Sequence, residues 1–544
     1  IVTNYSIVSL LNLGRGVFGV DFGSTAYVIN NSKCSNKVGV YRNLFREKVT
    51  VDTSEQKRIW FLDKSFNRYL NNQLNFFKIK NTPLAYWLSE KVFELFENSS
   101  KMEDHVEARV GLQTGENAIF RRNWFEPSIN KMAFEGYTDN AKWFPYNSGG
   151  QYRKWYGNHD YVINWSNNGA DIKNDKLYKL SIGKCLPGNS KPKNTKYYFL
   201  ESGSWSKMTA SGLTLRYYPK GFIFDVSGCS FFGEKDDLFY FIGLLNSPLK
   251  QPFIDAINQS FNYEVGQINN VPIVIDDQKN IAISLVRKII EHSKFDWNSH
   301  EASWEYELSP LFNETDSIEV AYQFWEKEVT KSFFQLHANE EELNRIFIDI
   351  YSLQEELTPE VALKDITILQ EELNKKDLLA LEEVFRANGS NPIELPIDKE
   401  EVISQFISYA IGLFMGRYRL DKPGLNIAHP NPSAEELASY AYNGGKVIID
   451  EDAILPLMGS NCNFPDDALQ QIYSLLDTIW GSEGRTENIN FIQDCLNKDL
   501  EKFLVNDFYK YHCKMYKKKP IYWLFSSKKG AFQVLVYMHR MNAF

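Results

Sequence analysis

A chain of 544 residues exceeds what one hydrophobic core usually supports, so two to four domains are expected. With 43% apolar, 24% charged and 15% aromatic residues the composition is that of a folded globular protein and excludes long disordered tracts. The net charge of -9 excludes a uniformly basic coat, yet residues 101–250 carry 20 Lys and Arg against 15 Asp and Glu, whereas 301–401 carry 8 against 25. A basic stretch beside an acidic one suits a protein that meets a polyanion with one part only.

Residues 1–30 read as a strand over 6–13, a glycine-rich turn and a second strand over 25–29, the pattern of the closing edge of an α/β sheet. Because the chain opens on Ile1 in strand-like sequence, an upstream part is expected. Residues 31–100 read as a connector, with Trp87, Val92, Phe93 and Phe96 at helical spacing over 85–96. From 101 to 275, short aromatic and β-branched runs broken by Gly, Asn, Ser and Pro predict a mixed, β-rich recognition domain. Residues 276–400 return to helical periodicity, with Ile281, Leu285, Ile289 and Ile290 in one stretch and Leu343, Ile346, Phe347 and Ile350 in another. Thr358 and Pro359 then start a further helix as cap and first residue. Residues 401–544 read as mainly helical, with a Gly/Pro turn at 422–424. The fold class expected is α/β and α+β multidomain.

Several strings imitate catalytic motifs. Gly14, Gly16 and Gly19 satisfy G-x-G-x-x-G after a strand, but strand-like sequence resumes at Thr25 and no acid follows on a next strand, so a structural turn is expected. Asp21-Phe22-Gly23 lacks the catalytic loop that a kinase would place before it. Asn81-Thr82-Pro83-Leu84-Ala85-Tyr86 has its proline and aromatic at the wrong spacing for an amino-methyltransferase, and no cofactor loop accompanies it. No catalytic and no cofactor-binding residue is therefore assigned. The cysteines (Cys34, Cys185, Cys229, Cys462, Cys495, Cys513) form no Cys-x-x-Cys pair and the eight histidines no ligand-spaced pair, so neither a metal site nor a disulfide framework is expected. A reducing cytoplasm fits best, and no apolar run approaches the roughly 18 residues of a membrane span.

Residues 142–165 pack eight aromatics around Lys142, Arg153 and Lys154, with Gly149-Gly150 as a flexible hinge. Cations neutralise phosphates while ring faces stack on bases, so this mixture suits nucleic acid; the alternative is that the rings are core. A second basic cluster, Lys173, Lys176, Lys179, Lys184, Lys191, Lys193 and Lys196, is opposed only by Asp171 and Asp175 and reads as an exposed loop, either solvated or on phosphates.

Several strings resemble the PglX family of BREX phage-defence methyltransferases. Gly111-Leu112-Gln113-Thr114-Gly115-Glu116-Asn117 is similar to the family's entry into its target-recognition domain, and the aromatic stretch from Lys142 to its next signature. Ser204-Trp205-Ser206-Lys207, Arg216-Tyr217 and Gly221-Phe222-Ile223-Phe224-Asp225 resemble the middle of that domain. Leu244-Leu245-Asn246-Ser247 and Asn262-Tyr263-Glu264-Val265-Gly266-Gln267-Ile268 resemble its close, shared with type I specificity subunits and fused restriction-methylation enzymes; Gln267 stands where an acid is expected. Asn344-Arg345-Ile346-Phe347 with Leu357-Thr358-Pro359-Glu360 resembles the helical spacer, and Gly416-Arg417-Tyr418-Arg419 with Lys519-Pro520-Ile521-Tyr522-Trp523 the C-terminal part.

By that resemblance residues 1–30 are the C-terminal edge of a methyltransferase domain, 31–100 a connector, 101–275 the DNA target-recognition domain, 276–400 an acidic helical spacer and 401–544 a mainly helical C-terminal domain. The complete enzyme is implied to transfer a methyl group from S-adenosylmethionine to an adenine amine, with this chain choosing the DNA site while lacking the catalytic motifs and binding no cofactor alone. Gln113, Asn117 and Arg216 are expected at base edges, and Lys142, Arg153, Lys154 and Lys207 on phosphates. The partners implied are double-stranded DNA, the upstream methyltransferase domain and other phage-defence proteins, with no membrane. The alternatives are the recognition part of a fused restriction-methylation enzyme, or an acidic protein-interaction module without DNA binding.

Overall fold

The computed structural model describes residues 4–19, 21–32, 38–46, 50–189, 192–258, 260–388, 393–459, 464–528 and 530–541; Cys34, Lys191 and Cys462 lie outside them. Strands β1 (Ser6–Arg15) and β2 (Gly23–Asn30) form an antiparallel hairpin, and β3 (Val38–Asn43) runs parallel to β1. The glycine run is the hairpin turn, with Gly14, Gly16 and Gly19 all at positive φ, and Asp21 is paired with Arg15 at 2.7 Å. After α1 (Ser54–Leu62), β4 (Arg68–Asn72) completes the sheet in the order β2-β1-β3-β4.

Helix α2 (Glu90–Asn98) starts later than its apolar spacing predicts. The Ser89 hydroxyl accepts from the Val92 N–H at 3.3 Å and so caps it, while residues 83–88 form turns in which the Ala85 N–H donates to the Pro83 carbonyl.

The next stretch contains β5 (Ser100–Lys101), β6 (Glu107–Arg109), the short α3 (Asn117–Phe120), β7 (Arg121–Asn123), β8 (Trp143–Asn147) and β9 (Tyr161–Asn164). It continues through α4 (Ser166–Ser181), β10 (Ser202–Ser206), β11 (Leu215–Tyr218), β12 (Ile223–Phe224) and β13 (Gly228–Phe232). Two four-stranded sheets result, β11-β10-β13-β6 and β12-β8-β9-β7. Helices α5 (Lys235–Asn246), α6 (Lys250–Ile257) and α7 (Val265–Ile268) lead to β14 (Pro272–Ile273), which pairs back onto β5 and brings the two ends of the stretch together.

Helix α8 (Lys279–Asn298) and the 34-residue α9 (Ile318–Tyr351) follow. The helix expected from Thr358 does not form. Its backbone is held extended against α9: Asn344 Nδ2 donates to the Pro359 carbonyl at 2.9 Å, the Val361 N–H donates to Glu341 at 3.0 Å, and His337 Nε2 contacts the Val361 carbonyl at 2.7 Å. These side-chain bonds occupy the groups that a helical turn would use internally. Helix α10 (Lys375–Asn388) comes later.

The C-terminal part is helical, with α11 (Lys399–Phe414), α12 (Ala434–Leu437), α13 (Ala468–Trp480), α14 (Arg485–Leu496), α15 (Leu500–Asn506) and α16 (Phe508–Met515). It also carries a hairpin, β15 (Tyr440–Tyr442) with β16 (Gly445–Val447), and an antiparallel sheet of β17 (Ile454–Pro456), β19 (Gln533–Tyr537) and β18 (Tyr522–Ser526).

Three apolar cores hold these elements. The first joins Tyr41 and Phe76 beside the N-terminal sheet to α2, β10, β13, α5, α8 and the second half of α9. The second joins α11, α13 and the C-terminal sheet to Ile318, Ala321 and Tyr322 at the start of α9, and the third fills the space around Phe144, Ile163, Trp165 and Phe224. Among the described residues no helix is long and apolar enough to cross a membrane.

Candidate nucleic-acid interface

Four loops meet where the two β sheets of residues 101–275 come together. Leu112 pairs with Asp225 through a Leu112 N–H to Phe224 carbonyl bond of 2.7 Å and a Val226 N–H to Leu112 carbonyl bond of 3.1 Å. Gly111 permits this approach: a Cβ there would lie 1.9 Å from the Phe224 carbonyl oxygen. Gly149, at φ +71°, is likewise a close-packed turn rather than the expected hinge, because a Cβ would meet the Ser227 carbonyl at 2.9 Å. The Lys207 N–H reaches that same carbonyl at 2.8 Å, so loops 112–117, 147–151, 206–212 and 225–228 brace one another.

Beneath them, Tyr146 donates to Asp225 at 2.5 Å and Asn147 Nδ2 to Ser204 Oγ at 2.6 Å. Burial, then the neighbouring Asp225 carboxylate, push the Tyr146 phenol well above its ordinary range, so it stays a donor. A rigid floor thus carries an exposed rim. Gln113 and Asn117 stand exposed on that rim, and Glu116 between them pairs with Lys179 of α4 at 3.2 Å. Lys207 is half-buried and paired with Glu264 at 3.0 Å. Gln267 answers for the expected acid: its Oε1 accepts from the Glu264 N–H at 2.8 Å, as a carboxylate would.

Lys142 is exposed and lies over the Trp143 ring at 5.6 Å. Arg122 flanks the same ring at 5.7 Å, and Arg121 lies over Tyr161 at 4.2 Å while donating to Ser148 at 2.8 Å. These two arginines escaped the sequence reading because they precede the aromatic stretch; their adjacency just before Trp124 was the available signal. Of the lysine cluster, Lys173, Lys176 and Lys179 sit on α4 rather than on a loop. Lys176 is buried, with Nζ donating to the Asn189 carbonyl at 3.0 Å, whereas Lys184, Lys193 and Lys196 are exposed.

Arg153, Lys154 and Arg216 are not on this surface, which corrects their expected roles. Arg153 pairs with Asp296 of α8 at 3.2 Å, donates to the Thr367 carbonyl at 3.2 Å and lies over Trp297. Lys154 pairs with the buried Glu340 of α9, whose other oxygen accepts from Trp155 Nε1 at 2.6 Å. Arg216, fully buried, donates to the Arg153 carbonyl at 3.0 Å and to Ser206 Oγ at 3.1 Å. Arg153 and Lys154 fasten the β sheets to the helices behind them through desolvated pairs, and Arg216 braces the β-rich stretch from within. Most of the rings are core as well: Phe144, Tyr146, Trp155, Tyr156 and Trp165 are buried.

Among the described residues no group of three or more His, Cys, Asp or Glu is placed to hold a metal. The braced loops thus carry exposed amide donors and acceptors, and ring-supported cations stand on β7 and just before β8.

An adenine-specific methyltransferase PglX of Lacticaseibacillus casei (strain Zhang) is 35% identical over 99% of this chain and 44% of its own length. An adenine-specific methyltransferase BrxX of Escherichia coli O9:H4 (strain HS) is 33% identical over 100% of this chain and 44% of its own length. The chain resembles a segment of these two methyltransferases over its own whole length and spans 44% of the length of each. No protein-family model matches. The solved type IIG restriction endonuclease BpuSI aligns over 65% of this chain and 45% of its own at 11% identity, with a TM-score of 0.21.

Proposed function

We propose that this chain selects the DNA site for an adenine-specific methyltransferase of the BREX PglX type, working with a methyltransferase domain that uses S-adenosylmethionine. The observation that carries the reading is end-to-end similarity to two proteins named adenine-specific methyltransferases. The braced rim supports it by supplying the two functions such a segment needs. Gln113 and Asn117 present amides that can bond base edges in the major groove, while Lys142 and Arg122 can meet phosphates. The target adenine has to leave the base stack to be methylated, so loops that hold the flanking bases on a rigid floor also position the extruded one.

The test is DNA binding measured against salt. Replacing Lys142 and Arg122 by Ala is expected to weaken binding to every duplex and to lower the slope of log affinity against log salt by about one unit for each phosphate no longer neutralised. Replacing Gln113 by Ala is expected to change sequence preference at unchanged slope. Unaltered affinity and slope in the Lys142/Arg122 double variant would remove the interface from this surface.

A further inference from the structure

A cavity of about 600 Å³ opens between α8, α9, the 366–372 segment and α11, and none of the four interface loops lines it. Its size falls within the range of small-molecule sites, and its place between two apolar cores is where such sites form. The mouth is apolar and unusually bare: Phe295 is 73% and Phe324 56% exposed. Trp325 and Val329 continue this wall inward.

The polar wall of the cavity is incomplete. Glu372 lines it and is only 2% exposed. Its Oε1 takes both neighbouring donors, His300 Nε2 at 2.7 Å and Gln405 Nε2 at 2.6 Å. Its Oε2 has no hydrogen-bond partner among the described residues. A buried carboxylate oxygen without a donor is unfavourable, and native proteins rarely leave one. Asp296, the other buried acid in the wall, makes no such demand: one oxygen accepts from Arg153 at 3.2 Å and the other from the Leu369 N–H at 2.7 Å, while Glu328 is exposed. His300 beside Glu372 holds a proton because of the carboxylates around it, so the pair is already charge-balanced and a neutral N–H is enough to complete it.

We propose that this cavity binds a flat heteroaromatic amine of roughly nucleobase size, its rings against Phe295, Phe324 and Trp325 and one N–H donated to Glu372 Oε2. The reading stands apart from DNA recognition and survives its failure. It is tested by isothermal titration of the whole chain with 2-aminobenzimidazole, against 1,2-dimethylbenzimidazole, which keeps the flat ring system without an N–H. One-site saturable binding is expected, at least about tenfold weaker for the dimethyl compound, since its occupancy leaves the carboxylate unpaired. Val329→Trp and Ser332→Trp each fill the cavity and are expected to abolish binding while leaving the circular dichroism of the parent. Equal affinity for the two compounds, no saturable binding by the parent, or undiminished binding in either folded variant would overturn the proposal; the comparison of compounds on the parent decides even if both variants misfold.

Discussion

Lys154 and Glu340 lie 186 positions apart and are both buried, so each charge depends on the other for its place in the interior. Truncating one partner leaves an uncompensated charge, and Lys154→Ala is expected to cost about 3–5 kcal/mol. The double variant Lys154→Met with Glu340→Gln should recover most of that loss, read as the midpoint of chemical denaturation. A double variant no better than the single one would place the stabilising role elsewhere. His300 and Glu372 form a second interior pair with a pH signature. Burial opposes the imidazolium, but Glu372 and Asp296 overcome it and lift His300 from its ordinary 6.5 to about 10. Burial also opposes the Glu372 carboxylate, yet His300 and the bonds from it and Gln405 pull it from 4.5 to about 2. The histidine's contribution is complete below pH 6.5 and fades as pH climbs through 10; the glutamate's is complete above pH 4.5 and fades as pH falls through 2. The stability lead of the parent over His300→Gln should therefore be greatest between these inner limits and shrink steadily from pH 6.5 to 10.

At the scale of elements, what was legible depended on how local its cause is. The β1–β2 hairpin was visible because strand alternation and turn glycines act within 25 residues. The helices α8 and α9 were visible because their apolar spacing repeats over many turns. The missing helix at Thr358 was not, since its cap and proline were sound and three side chains of α9 overruled them. Arg153 and Lys154 were misplaced for the same reason: a basic, aromatic string looks alike whether its partners are phosphates or carboxylates 143 and 186 residues away. The candidate rim was half legible: Gln113, Asn117 and Lys142 stood out in the sequence and are exposed, whereas the arginines of β7 were overlooked. Its dependence on close backbone approach makes a sharp test. Gly111→Ala sets a methyl against the Phe224 carbonyl, so loop 112–117 should detach and its amides exchange hydrogen faster, with DNA sequence preference lost before overall affinity. Unchanged exchange there would show that the loop is held by other means.

Across the whole molecule, the net charge conceals a mildly basic stretch over 101–250 followed by a strongly acidic one over 301–401. The acids behind the β-rich stretch include Asp296 and Glu340, which anchor that stretch from within. The long helix α9 connects this arrangement to the C-terminal part. Its first turn is buried in one core and its second half in another, so a rod of about 50 Å belongs to two interiors at once.

A rod shared in this way behaves as a screw threaded into two nuts. Adding one residue after Glu328 advances the far half by about 1.5 Å and turns it by about 100°, and no small relaxation restores both threads. A single inserted alanine there should split or lower the thermal transition, whereas the same insertion after the exposed Lys422 should pass almost unnoticed. Length variation among chains of this type is accordingly expected in the connections, with α9 held at constant phase.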